Sequence, residues 1–266
     1  MSRGTTHRRG WTLRRWTQVA GHHLHSVETP VAAESGRATV VLLHGAVVTH
    51  RYFLPLVQAL ATRDPTLPVA ALELPGIGAS SRGREPRDIA GQAELVAAWL
   101  RETDRAPAML VGSSMGAQTA VEVAVREPTL VESLVLIGPT VDASARTLFR
   151  QFGKLLVDGT VESPAQLVIT STDLFRSNPR AMARYLRASL EHRIEERLAA
   201  VAAPVLLIRG EFDPLVPRRW LRRLHRVTPN SETMELPGAA HCAHERRPDE
   251  VAQAIDRMRS HRRSTG

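Results

Sequence analysis

The sequence is short of several things, and each shortage excludes something. There is one cysteine, Cys242, in 266 residues. No intramolecular disulfide can therefore staple the chain, and a reducing compartment suits it. No apolar run approaches the roughly 20 residues that cross a bilayer. The basic start, MSRGTTHRRGWTLRRW, is not followed by the apolar stretch of a secretory signal. The expected location is the cytoplasm, with no membrane span. Lysine is almost missing: Lys154 stands alone among 35 basic residues. Formal net charge is +8, which raises the question of a nucleic-acid partner. The arginines are scattered and accompany no nucleic-acid-binding motif. They look like coding bias in GC-rich DNA, and no nucleic-acid partner is expected. Arg218–Arg226 and His261–Arg263 are expected on a solvated helix face and a frayed tail. There is no internal repeat, heptad run or low-complexity segment.

What is present is an alternation of short buried strands and helices. Residues 16–28 read as a hairpin. Buried strands are expected at Thr39–Leu43, Pro68–Leu72 and Ala108–Val111, and further strands at Leu134–Ile137, Val205–Ile208 and, a short one, Thr233–Leu236. Helices fall between them at Tyr52–Ala61, Asp88–Arg101, Met115–Arg126 and Glu245–Met258. Strands alternating with helices imply parallel βαβ units and a doubly covered sheet. The rhythm breaks at residues 143–203, where no strand is convincing. Ser163-Pro164 and Asn178-Pro179 each place a capping residue before a proline at the first helical position. About four short helices are expected there, inserted between two strands of a core made of residues 1–142 and 204–266. Their apolar stripes, such as Leu148, Phe149, Phe152, Leu155 and Leu156, either pack on the sheet edge or form a lid over the carboxyl ends of the strands, where open α/β sheets bind ligands.

One stretch asks for chemistry. Gly112-Ser113-Ser114-Met115-Gly116 follows a buried strand and precedes a helix, the setting of a G-x-S-x-G nucleophile elbow. Glycines two before and two after the serine remove Cβ atoms that would strike neighbouring backbone. The turn raises the hydroxyl and points the next N–H, at the helix N-terminus, toward the same space. Framing chooses the serine. Ser114 is flanked by Gly112 and Gly116, whereas Ser113 would be flanked by Val111 and Met115. Ser114 is the candidate nucleophile, and Ser113 is expected to support the turn. A serine needs a base, and the base an orienting carboxylate, in the chain order Ser, acid, His. Asp213 in RGEFDPLVP and His241 in LPGAAHCAHERRPDEV meet that order on strand-end loops. Their rivals are Asp142 and Glu211 for the acid, and His244 and His44 for the base. His44 is expected to be a structural turn residue, and Glu211 to point away. Cys242 reads as a packing residue. His22, His23 and His25 suggest a metal tract without a matching ligand cluster, and a solvated strand face is expected instead.

With these pieces in place, the sequence resembles the α/β-hydrolase superfamily from about Trp16 to Met258. The resemblance is carried by LLHGAVV (42–48), LELPGIGAS (72–80), VGSSMG (111–116), LIRGEFDPLVP (207–217) and PGAAHCAHERRPDEV (237–251). It implies a mostly parallel doubly wound sheet, a triad of Ser114, Asp213 and His241, and an oxyanion hole from the N–H groups of Ala46 and Met115. It also implies a helical cap at residues 143–203. Glu73 departs from the family, which usually shows Asp before Leu-Pro-Gly; the residue there usually supports loop structure. Tyr52 and Phe53, which follow the oxyanion loop, either line the acyl pocket or pack the first helix. Together with Phe149 and Phe152 they are the candidate substrate-binding residues. The expected activity is hydrolysis of small to medium esters through an acyl-enzyme, with no cofactor or metal. C–C bond, lactone or thioester cleavage and perhydrolysis use the same triad. A serine at the elbow argues against dehalogenase or epoxide hydrolase chemistry. A non-catalytic receptor or scaffold on this fold is the alternative of another class.

Overall fold

The computed structural model of the chain describes residues 3–6, 12–31, 38–46, 48–81, 88–176 and 179–265. In chain order its elements are β1 (Arg3–Thr6), β2 (Leu13–Val19), β3 (His22–Glu28), β4 (Val40–Leu43), α1 (Leu54–Arg63), β5 (Val69–Leu72), α2 (Ile89–Glu102), β6 (Ala108–Ser113), α3 (Met115–Arg126), β7 (Val131–Ile137), α4 (Leu148–Gly159), α5 (Pro164–Arg176), α6 (Pro179–Glu191), α7 (Ile194–Leu198), β8 (Val205–Gly210), α8 (Arg218–Val227), β9 (Ser231–Leu236), α9 (Ala243–Arg246) and α10 (Pro248–Thr265). The strands form one sheet in the order β1-β2-β3-β5-β4-β6-β7-β8-β9. The first three are antiparallel, as is the β3–β5 pair; every pair from β5 to β9 is parallel.

The inner strands β4, β5, β6, β7 and β8 carry near-continuous apolar runs because helices cover both faces. Alternate residues point opposite ways. Val41, Leu43, Leu110, Leu134, Leu136 and Leu207 pack with Trp99 of α2, Val121 of α3 and Trp220 of α8. Val40, Leu42, Val111, Val135 and Ile208 pack on the other face with Leu56 and Leu60 of α1 and Val251 and Ile255 of α10. Burying one such side chain fully stabilises the fold by about 1.5–3 kcal/mol.

One difference from the sequence expectation has a local cause. The helix expected over Glu245–Met258 is two helices, because Pro248 has no N–H to donate and its ring bars the preceding turn. The arginine-rich stretch lies on a solvated helix face, as expected. Helix α8 buries Trp220, Leu221 and Leu224 on the other, and the Trp220 indole N–H donates to the Pro139 carbonyl at 2.9 Å.

The strand order positions the site. The carboxyl ends of β4, β6, β7, β8 and β9 lie side by side, with Leu43 opposite Gly112, Ser113 opposite Ile137, and Gly210 opposite Leu236. The loops after β4 and β6 therefore adjoin, as do those after β8 and β9. The insertion between β7 and β8 holds α4 to α7. Ser163 caps α5 by accepting from the Gln166 N–H at 3.0 Å; Asn178 lies outside the described residues. These helices are tied to the core by polar contacts. The Thr49 N–H and hydroxyl donate to Asp173 at 2.9 and 2.8 Å. The Gln118 side chain donates to the Ser189 carbonyl at 2.9 Å, and the Tyr185 hydroxyl donates to the Pro75 carbonyl. The apolar stripe of α4 does not pack on the sheet edge. Leu148, Phe149, Leu155 and Leu156 face outward, while the polar Asp158, Gln166 and Asp173 are buried against the core.

Candidate active site

Ser114 sits at the corner between β6 and α3 with φ of 55° and ψ of −117°. That left-handed backbone is strained for a residue with a side chain. Two glycines make the corner possible. A Cβ at Gly112 would lie 2.4 Å from the Gly116 carbonyl oxygen, and one at Gly116 would lie 2.0 Å from that of Leu43. The framing that chose Ser114 over Ser113 is therefore steric. Ser113 is buried, and its side chain bonds with that of Tyr52. The Ser114 N–H donates to the Ile137 carbonyl at 2.9 Å. Its Oγ lies 3.4 Å from Thr140 Oγ1. Met115 opens α3, so its N–H has no acceptor within the helix. Gly45 brings the β4 loop, with Ala46, against the serine: a Cβ on Gly45 would lie 3.4 Å from Ser114 Cβ.

Asp213 and His241 meet across the ends of β8 and β9. His241 Nδ1 donates to Asp213 Oδ2 at 2.9 Å. The other oxygen, Oδ1, accepts from the Leu215 and Val216 N–H groups at 2.8 and 3.0 Å. The buried Arg209 shapes the acid loop by donating to the carbonyls of Val216, Glu211 and Asp213. Burial opposes ionisation of Asp213. The charge of His241 and the hydrogen bonds from its ring and from the two N–H groups outweigh it and hold the carboxyl below its ordinary value. For His241, burial lowers the pKa, but the Asp213 carboxylate outweighs it and raises the pKa to about 9. With Nδ1–H committed to Asp213, the neutral ring presents its lone pair at Nε2. That atom is buried and has no hydrogen-bond partner among the described residues. The ring packs on Gly138, whose φ is 57°; a Cβ there would lie 2.8 Å from His241 Cε1. Ile137 and Gly138, at the end of β7, thus touch Ser114 on one side and His241 on the other.

The rival residues have other duties. Asp142 accepts from the Ser144 N–H at 3.1 Å and pairs with Arg219 and Lys154. Glu211 accepts from the Gly238 N–H at 2.9 Å, away from His241. His44 accepts from the Leu74 N–H at Nε2, which leaves Nδ1 to donate to the Gly45 carbonyl at 2.7 Å. His244 is fully buried against the rings of Tyr52 and Phe53. Burial and the nearby His241 push its pKa down to about 3. Burial and the neighbouring carboxylates raise the Cys242 thiol well above its usual pKa, which keeps it protonated.

Three of the four candidate substrate-binding side chains are described. Tyr52 and Phe53 are buried in the core, and the Tyr52 hydroxyl accepts from the Gly45 N–H at 3.0 Å. Phe149 is 87% exposed, so it does not line the space above Ser114: the stripe it belongs to faces solvent. The side chain of Phe152 lies outside the described residues. Sequence reading missed Gly138, Thr140, Asp158 and Glu162. The Gly-Pro turn after β7 was a usable signal for the first two. Nothing local marks the others.

The histidine tract also requires correction. His23 is exposed, but His22 and His25 are buried. His25 Nδ1 donates to Glu73 Oε2 at 2.8 Å, and His50 Nδ1 donates to Oε1 at 2.6 Å. Burial disfavours charge on Glu73, yet the two imidazoles outweigh it and hold the carboxyl well below the usual range. The Ala79 N–H adds a third bond at 2.6 Å. Glu73 thereby ties β3 to the turn that follows the β4 loop. These three side chains are the one His/Glu cluster among the described residues whose ligand atoms lie within 4.8 Å of one another. As arranged, they form a hydrogen-bonded strut. Among the described residues no helix is long and apolar enough to cross a membrane.

Residues 40–254 match the alpha/beta hydrolase family. Over 247 residues the chain is 30% identical to the pimeloyl-[acyl-carrier protein] methyl ester esterase of Xanthomonas oryzae pv. oryzae, covering 82% of this chain and 94% of that protein. It is 26% identical over 261 residues to the 2-(acetamidomethylene)succinate hydrolase of Mesorhizobium japonicum, covering 84% and 88%. Among solved structures, the enol-lactonase from Burkholderia xenovorans LB400 shares the fold with a TM-score of 0.74 at 20% identity, over 90% of this chain and 97% of that one. The chain belongs to the alpha/beta hydrolase family and is a hydrolytic enzyme.

Proposed function

We propose that the chain is a serine hydrolase that cleaves an ester-type acyl bond of a small to medium substrate through an acyl-enzyme. Ser114 is the nucleophile, His241 the general base and Asp213 the group that orients it. The observation that carries this reading is the strained φ of 55° at Ser114, a residue held between two glycines that cannot bear side chains. Strain of that kind persists only where the surrounding structure enforces it.

With substrate in place, Ser114 Oγ attacks the acyl carbon and its proton passes to His241 Nε2. Catalytic hydrogen bonds of this kind are often long without substrate. The oxyanion is met by the Ala46 and Met115 N–H groups, each donor contributing roughly 3 kcal/mol to the transition state. The leaving group departs with the proton from His241. Water then attacks the acyl-enzyme, giving its proton to His241, and the acid is released as Ser114 recovers its own. Helices α4 to α7, within residues 143–203, act as the lid, and the remainder is the core. The enzyme works in the cytoplasm, the reducing compartment that its single cysteine suits. The name of the Xanthomonas relative, a methyl ester esterase, favours an ester over the other acyl bonds.

The test is labelling with a fluorophosphonate, followed by peptide mass spectrometry, with p-nitrophenyl esters of increasing chain length in parallel. An adduct on Ser114, absent from a folded Ser114→Ala variant, and ester turnover that falls away with it are expected. A folded protein that neither labels nor turns over any ester overturns the assignment.

A further inference from the structure

The loop that carries His241 is gripped from outside the core. Asp158, in the last turn of α4, is buried and accepts the His241 backbone N–H at 3.0 Å. Glu162, just beyond α4, accepts the Cys242 N–H at 2.6 Å. Ser163 adds a third tie, its hydroxyl donating to Glu245 Oε1 at 2.9 Å. His241 is thus held at two points by two carboxylates from different parts of the chain. Asp213 takes the ring and Asp158 takes the backbone.

We propose that Asp158 and Glu162 are positioning residues, a carboxylate clasp that fixes the His241 loop and through which Asp158 helps to hold the imidazole protonated. This rests on His241 being the base of the proposed reaction. Bonds from an N–H to a carboxylate are shorter and stronger than neutral ones, so an ionised clasp holds the loop more firmly than a protonated one. Both carboxyls carry the mark of a dry site. Burial raises Asp158 to about 7; His241 opposes the shift, and Glu162 and Asp213 add to it. Burial likewise raises Glu162. The ionisable groups around His241 are Asp213 from the β8 loop, Asp158 and Glu162 from the inserted segment, and Cys242, His244 and Glu245 from its own loop and α9. After Asp213, the carboxylates of Asp158 and Glu162 are those that favour its charged form. Seating of the inserted helices is thereby coupled to the position and the proton affinity of the base.

Asp158→Asn keeps an acceptor for the His241 N–H and removes the charge; Asp158→Ala removes both. The imidazole of His241 is followed by NMR from pH 5 to 10 in the full-length protein labelled with ¹⁵N-histidine, assigned against His241→Gln. In parallel, kcat and kcat/KM for p-nitrophenyl butyrate are measured over the same range. Asp158→Asn is expected to lower the His241 midpoint by about 1 pH unit and to carry the acid limb of kcat/KM with it. Asp158→Ala is expected to give the same shift, with a plateau kcat about tenfold below that of Asp158→Asn, the loss of a bond worth about 1.4 kcal/mol. A His241 that titrates in Asp158→Asn as in the wild type overturns the proposal, as does a shared plateau in the two variants. If Asp158→Ala does not fold, the near-isosteric Asp158→Asn decides alone. If the wild type turns over no ester, the NMR midpoint still decides the clasp, and the functional reading fails separately.

Discussion

The Tyr52 hydroxyl accepts the backbone N–H of Gly45 at 3.0 Å in the floor beneath the candidate nucleophile. This bond fixes the loop that carries Ala46, a donor of the proposed oxyanion hole. Tyr52→Phe leaves a buried N–H without its acceptor, which costs about 1–3 kcal/mol. The variant is expected to melt at a lower temperature and to lose kcat more than it gains KM, because in the proposed reaction the loop serves the transition state. A Tyr52→Phe protein with wild-type melting temperature and kcat contradicts this role.

The two candidate acids separate cleanly. In Asp213→Asn the side-chain oxygen stays on the Leu215 and Val216 N–H groups, an amide NH₂ faces His241 Nδ1 and favours the wrong tautomer, and kcat should fall on the order of 10⁴-fold. Asp142 spends its carboxylate on Ser144, Arg219 and Lys154. Asp142→Asn should therefore leave kcat within a few-fold. Steady-state kinetics on p-nitrophenyl esters measures both, and the reverse ranking moves the acid to the end of β7.

The pH profile follows from the base. In the proposed reaction only neutral His241 accepts the serine proton, and its pKa is raised to about 9. Activity should therefore climb with pH, with the acid limb of kcat/KM above the ordinary histidine value of about 6.5. A limb centred at or below that value would show that Asp213 and Asp158 do not hold the imidazolium.

Glu73 makes stability depend on acid. Its folded pKa is depressed by His25 and His50, so its contribution is full above the unfolded value of about 4.3. That contribution is lost as the pH falls below it toward the folded value. Glu73→Ala leaves two buried imidazoles without their partner and should destabilise by about 3–5 kcal/mol at neutral pH. Denaturant midpoints from pH 3 to 7 measure this. The wild type should converge on the variant as the pH falls, and parallel curves contradict the strut.

The elements legible in advance were those with local causes. The glycine spacing around Ser114 chose the serine because a Cβ at either glycine strikes backbone within the same corner. Chain order and loop chemistry pointed to Asp213 and His241, and their side chains bond, because strand ends in a parallel sheet gather on one edge. The apolar stripe of α4 misled, and Phe149 with it. Periodicity reports that a helix has an apolar face but not which way that face turns.

The sequence by itself determined the alternation of strands and helices, the glycine-framed corner at Ser114, and which side chains could form a triad. These follow from side-chain sterics and hydrophobic periods that act over a few residues. Only the tertiary structure decided which groups meet. It put Gly138 under His241, carried Asp158 and Glu162 from an insertion to the histidine loop 83 and 80 residues away, and buried His25 and His50 on Glu73. Those contacts depend on strand order and on how inserted helices seat. Both are set by the burial of the whole sheet and by the need to satisfy polar groups that burial strips of water.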